Sequence, residues 1–219
     1  MTDYPLPPIT DEMWPAVAHH EAGHAVAKIV GGRVLFGEGH FTSVGIRPGA
    51  GGLHTDRGGN SLDLLGFVAG PAFFNLHGLT APIKFPDDRF RLHLRTCAVW
   101  EIIDSLAGPF AEAAFLGDRD PWVMSASAFD LRGWDSSDYN IAESAYASLR
   151  HLTPRRPRWG TLYYRTAGLV LNNWTAIEAL AVRLLNKHEL EFDEVLEIVA
   201  PHLSPTSAAT LPARLSQSA

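Results

Sequence analysis

Residues 16–30 read AVAHHEAGHAVAKIV, an alanine-rich apolar run that carries His20, Glu21 and His24. Good helix formers dominate it, so the pattern predicts a helix from Trp14 to Val30, closed by Gly31 and Gly32. In a helix of about 3.6 residues per turn, positions four apart lie one above the other. His20 and His24 therefore project together and can hold one Zn²⁺. Glu21 is rotated roughly a quarter turn from them. That places its carboxylate beside the metal rather than on it, where it can take a proton from an attacking water. The competing reading is a chance HExxH in a chain with ten histidines. It is the poorer one, because two imidazoles and a carboxylate among Ala, Val and Ile would be buried without partners. His19 is not a ligand on this reading, since the residue four positions on is Gly23, which has no side chain.

A catalytic zinc takes a third protein ligand and keeps one position for water. The metzincin spacing would put Gly at position 27 and His at position 30, where this chain has Ala27 and Val30. Glu38 sits in a glycine-rich turn directly after the helix, so the third ligand must come from farther along the chain.

Outward from this helix, the sequence reads as a mainly α chain with a small early β-sheet or hairpin. Arg33–Phe36 and Thr42–Arg47 are expected as strands, followed by a glycine-rich turn and a short Gly52–Thr55 segment. Residues 61–77 read as an apolar helix, and 81–88 (APIKFPDD) as a loop. Residues 90–116 read as a helix with a break or kink at Gly108-Pro109. A loop covers 117–133, and Asp135 or Ser136 caps a helix running to about Leu149. Residues 161–186 read as one long helix, and Phe192–Val199 as a shorter one. The expected organisation is a Pro-rich lead-in (1–10), one domain (11–203) with an inserted lobe at 59–93, and a disordered tail (204–219).

Composition narrows the function classes. Of 219 residues, 46% are hydrophobic and 19% charged, ample apolar material for a folded core. Acidic residues exceed basic ones, 24 against 18, and only Lys28, Lys84 and Lys187 are lysines, which disfavours nucleic acid as a partner. None of the three follows a glycine, so a Walker-type phosphate loop is excluded. The single Cys97 excludes an internal disulfide and a cysteine-based zinc finger, and fits a reducing, cytoplasmic setting. No export signal opens the chain and no run approaches the ~18 apolar residues that span a bilayer.

Several segments agree, in order, with one family. HEAGHAVA, followed by a strand and a glycine-rich turn, resembles the peptidase domain of the FtsH-type AAA+ zinc proteases. TSVGIRPGAGGLHT (42–55) is similar to the family's edge strand and glycine turn, and LAGPFAEAAFLGD (106–118) to its GGRAAEE helix. GWDSSDYNIAESAYASL (133–149) resembles the helix whose aspartate is the third zinc ligand, and residues 169–199 resemble the closing helix pair. The resemblance implies that Asp138 completes the ligand set. It also implies that Gly51, Gly52 and Leu53 seat an extended peptide against a strand edge, although an ordinary hairpin turn would read the same way. Asp138 shares a helical stripe with Ile141, Ala142, Ala145 and Leu149, so a metal would offset its inward charge. A first-turn aspartate stabilised by the helix dipole is the plainer reading, with Asp135, Asp104 and Glu112 as further candidates. His40 and His54 read as surface or hydrogen-bonded histidines, and Arg150–Arg158 as a solvated basic loop.

The resemblance thus implies a zinc metallopeptidase acting on peptides or unfolded protein segments, with His20, His24 and Asp138 as ligands and Glu21 as general base. The alternative is a peptidase-like binding or adaptor module without turnover. No ATPase motif is present, Pro109-Phe110 stands where the family carries an arginine, and residues 59–93 lengthen the gap between His24 and Asp138. A homo-oligomer or a separate ATPase partner is therefore left open.

Overall fold

The computed structural model describes residues 13–37, 39, 41–47, 53–55, 61–63, 66–74, 87–120, 137–153 and 155–208. Among them the chain is mainly helical with a small antiparallel sheet, as the sequence predicts. The longer helices are α1 (Trp14–Phe36), α2 (Asp88–Phe115), α3 (Ser137–Leu152), α4 (Trp159–Asn172), α5 (Trp174–Lys187) and α6 (Phe192–Val199). Strands β1 (Ser43–Ile46), β2 (Leu53–Thr55), β3 (Ser61–Asp63), β4 (Gly66–Ala69) and β5 (Glu189–Glu191) complete the elements, with short helical turns at Ala200–His202 and Pro205–Ala208. No helix among the described residues is long and apolar enough to cross a membrane.

Helix α1 is the centre of the molecule. It is buried on every side from Val17 to Arg33 apart from His24, which is only partly exposed. A helix that is apolar all round needs neighbours all round. Here α2 packs on one side, α5 on another, and β1 with β4 on a third. Helix α2 in turn carries α3 and α4 on its other faces. Gly23 sets how close α1 and α2 come: a Cβ there would lie 2.5 Å from the Ala107 carbonyl oxygen and 2.7 Å from Ala111 Cβ.

Four expectations are corrected by packing that the local sequence does not announce. Gly31 and Gly32 do not end α1, which runs on to Phe36 and closes at Gly37 in the left-handed conformation (φ 78°). Gly31 stays helical because Trp100 and Phe73 occupy the space its Cβ would need, at 2.7 and 2.9 Å. Arg33–Phe36 is accordingly helix, not strand. Residues 61–77, expected as a helix, hold β3 and β4 instead. β4 pairs with β1 in the main sheet. The expected single helix at 161–186 is two, divided at Asn173 (φ −112°, ψ 21°). There the Asn173 side-chain amide donates to the Leu169 carbonyl at 2.7 Å, and its oxygen accepts from the Ser204 amide at 3.0 Å. Helix α2 also continues through Gly108-Pro109 without interruption. The lead-in 1–10 and residues 209–219 lie outside the described residues.

The sheet has the order β4-β1-β5, antiparallel throughout, with Ile46 opposite Gly66 and Val44 opposite both Val68 and Leu190. Thus β1, expected at an edge, is the central strand, and β4 takes the edge. β5 arrives from far along the chain through His188, whose left-handed conformation (φ 66°) ends α5. Strands β2 and β3 form a separate two-stranded ribbon.

Replacing Gly23 by Ala tests the close approach of α1 and α2. Helix propensity alone would favour alanine by about 1 kcal/mol, but overlap with the α2 backbone is expected to lower stability by about 1–3 kcal/mol net. Urea unfolding measures the difference, and an unchanged or raised midpoint would contradict the packing described.

Candidate metal centre

Helices α1 and α2 run antiparallel and meet along two matched stripes. On α1 the stripe is His20, His24 and Lys28; on α2 it is Asp104, Gly108 and Glu112, both with four-residue spacing. His20 Nδ1 donates to Glu112 Oε2 at 2.9 Å, and His24 Nδ1 donates to the Asp104 main-chain oxygen at 2.8 Å. Gly108 lies between these pairs against both imidazoles, and a Cβ there would overlap the His24 ring and lie 2.8 Å from His20 Cδ2. The glycine therefore leaves room for the rings, while the residues on either side of it orient them.

With both Nδ1 atoms committed as donors, the two Nε2 lone pairs face each other 3.2 Å apart. Asp138 Oδ2, from the first turn of α3, lies 3.1 Å from His20 Nε2 and 3.5 Å from His24 Nε2. A cation placed between these three atoms would be bound by all of them. Ligands at about 2.0–2.1 Å in a tetrahedral shell sit about 3.3 Å from one another, so the three spacings fit a single small metal ion. His20, His24 and Asp138 form a group able to hold one. The inward stripe of α3 is otherwise as expected, with Ala142, Ala145 and Leu149 fully buried, but Ile141 is 37% exposed.

The same proximity shifts the acidity of these groups. Burial by itself would push the Asp138 carboxyl up, yet His24 and His20 outweigh it and hold the group far below the usual carboxylate range. For His24 burial opposes the charged ring, and Asp138 and Asp104 overcome it, raising the imidazole well above its ordinary value. Glu21, Glu101, Asp104 and Glu112 are also buried along these two helices, as are Lys28 and Arg33, with Lys28 paired to Asp104. A divalent cation held by His20, His24 and Asp138 would add positive charge among these acidic groups.

Glu21, one residue from His20, turns toward the sheet: a Cβ on Gly66 would sit 2.5 Å from Glu21 Oε1. The bare Cα at the start of β4 thus leaves space for the carboxylate. His19 is not part of the His20, His24 and Asp138 group. It stacks between Phe115 and Trp174, and its Nδ1 donates to the Pro15 carbonyl at 2.6 Å.

Asp104 and Glu112, weighed from sequence as ligands, are brought to the site in another role, as acceptors for the Nδ1 atoms. Metal-bound histidines typically have their second nitrogen fixed in this way. Gly108 and Lys28 were not anticipated; the signal that could have found them is the matching four-residue spacing on the two helices. Asp135, Gly51, Gly52 and His40 lie outside the described residues. Leu53 and His54 are in β2, which pairs with β3 and not with the main sheet. No protein-family model matches this chain, and no curated protein matches it.

Glu101 offers a pH test of this buried charge. Burial, reinforced by Asp104 and opposed by Lys28, pushes its carboxyl from 4.5 to about 7. Because the folded value lies above the unfolded one, its contribution is fully present below about pH 4.5 and lost as pH rises through about 7. Glu101→Gln removes that dependence. The variant is expected to gain about 3 kcal/mol on wild type between these limits and to level off above them. Denaturation across that pH range measures the gain, and parallel pH profiles for the two proteins would contradict the assignment.

Proposed function

We propose that the protein is a zinc-dependent metalloendopeptidase acting on peptides or unfolded protein segments, similar to the FtsH-type peptidase domain. The observation that carries this reading is the convergence of His20 Nε2, His24 Nε2 and Asp138 Oδ2 within 3.1–3.5 Å, with Glu21 on the same helical turn as His20. Two imidazoles and a carboxylate form a three-ligand set of the kind that suits catalytic zinc. Zinc bound there would supply a Lewis acid that polarises a scissile carbonyl and makes a water nucleophilic near neutral pH.

The chain's own groups do the rest. Glu112 and the Asp104 carbonyl keep both Nδ1–H groups occupied, so both Nε2 atoms stay available as ligands. Glu21 takes the proton of the attacking water on its carboxylate and returns it to the leaving amine. An extended substrate can add to the outer edge of β4 through main-chain hydrogen bonds, with little regard to its side chains. This route brings its backbone past Gly66 and hence past Glu21. The edge proposed for substrate is that of β4; of Gly51, Gly52 and Leu53, expected from the sequence to seat the peptide, Leu53 lies in β2 and the two glycines lie outside the described residues. An extended chain is what this edge accepts, which favours unfolded substrates.

Glu21→Gln separates an enzyme from a zinc-holding binding module. The variant should keep its metal while cleavage of an unstructured casein falls by about 100-fold or more, and chelation should abolish the wild-type activity. Wild type that holds zinc but never cleaves, or a variant as active as wild type, would contradict the peptidase reading.

A further inference from the structure

Lys28 stands one helical turn beyond His24 in a run that is otherwise apolar, and it is 7% exposed. Packing alone would be served as well by leucine, and a buried ammonium is costly unless it is paired. It is well paired. Nζ lies 2.9 Å from Asp104 Oδ2, donates to the Pro71 carbonyl at 3.3 Å, and sits 5.2 Å from the centre of the Phe73 ring. Asp104 is also the residue whose main-chain oxygen holds His24 Nδ1. Its other carboxylate oxygen, Oδ1, is buried 3.5 Å from that nitrogen and has no hydrogen-bond partner among the described residues.

We propose that Lys28 is a positioning residue for the metal centre: its ion pair fixes the Asp104 carboxylate, so that Oδ1 stays 3.5 Å from His24 Nδ1 and the ring is held by the Asp104 carbonyl with Nε2 aimed at the ligand point. The inference rests on the reading of His20, His24 and Asp138 as metal ligands. Without the Lys28 ammonium, Asp104 becomes an unpaired buried carboxylate whose nearest donor is His24 Nδ1. Turning toward that donor draws the ring out of line with His20 and Asp138. The same ammonium binds Pro71, just after β4. Glu101, one turn before Asp104, accepts the Phe74 amide at 3.1 Å. The segment leaving the edge strand is thus fixed at two points, at Pro71 by the ammonium that also pairs with Asp104 and at Phe74 by Glu101. One anchor serves both sides of the site.

The test uses Co²⁺ as the probe, since its visible d–d band reports ligand geometry. Metal-stripped wild type, Lys28→Met and Asp104→Asn are titrated with Co²⁺ against a competing chelator, with far-UV circular dichroism checking the fold. Wild type should bind Co²⁺ with a band of tetrahedral type. Lys28→Met should bind about 10-fold or more weakly with a shifted band, and Asp104→Asn, which breaks the same ion pair from the other side, should change in the same direction. Where Lys28→Met fails to fold, Asp104→Asn carries the test, because it removes the Lys28–Asp104 ion pair without removing the ammonium. Folded variants with wild-type affinity and an unshifted band would overturn the proposal and leave Lys28 as packing only. Wild type that binds no Co²⁺ would overturn the metal reading itself, a failure distinguishable from the first because it precedes any comparison of variants.

Discussion

Two helices brought close enough to share one row of polar groups set the terms for the rest of this molecule. Gly23 lets the α1 backbone approach Ala107 and Ala111, and Gly108 lets α2 lie against two imidazoles. The contact then buries His20, His24 and Lys28 against Asp104 and Glu112 in a place with little water. A buried donor left unpaired costs about 1–3 kcal/mol, and an unpaired charge costs more. Antiparallel stripes of equal spacing bring each polar group to a partner: Glu112 to His20, the Asp104 carbonyl to His24, the Asp104 carboxylate to Lys28. Among the atoms that this pairing leaves over, both Nε2 point at Asp138 from α3. Metal affinity on this account is a consequence of how the helices satisfy one another.

The sheet gives this centre a border. β1 is held on both sides, so its position is fixed by two ladders, and Val44 and Ile46 bury against the helices. β4 has one ladder and one outer edge, and it begins at Gly66 where Glu21 lies. A buried carboxylate and a strand edge thus meet at one residue without a side chain. The late strand β5 closes the opposite side and ties α5 and α6 to the same sheet, through Ile46 N–H to the His188 carbonyl and Phe192 N–H to the Thr42 carbonyl.

The parts legible in the sequence are those whose signal is local and periodic. The HExxH spacing gives two imidazoles on one face of a helix, α1 begins where expected, and α6 matches its expected range. Asp138 came from a resemblance, and its stripe with Ala142, Ala145 and Leu149 faces inward as that pattern implied. Illegible were the features decided by distant partners. Gly31 reads as a stop until Trp100 and Phe73 are seen to fill the space beside it. Residues 61–77 look apolar enough for a helix, but β4 forms because β1 offers it a ladder. Asn173 carries no strong break signal, yet it ends one helix and holds Ser204 at the start of the final turn. Asp104 and Glu112 were visible as acidic candidates; their role as acceptors depends on which nitrogen of each ring they meet, which the sequence does not say.

The central claim is that His20, His24 and Asp138 hold a metal ion, and that it is zinc. Elemental analysis of the purified chain beside Asp138→Ala tests it most directly, with both proteins checked for native fold. The account predicts near-stoichiometric zinc in the wild-type chain and its loss from the variant. A folded wild-type chain without zinc, or an Asp138→Ala protein that retains its full complement, would contradict it.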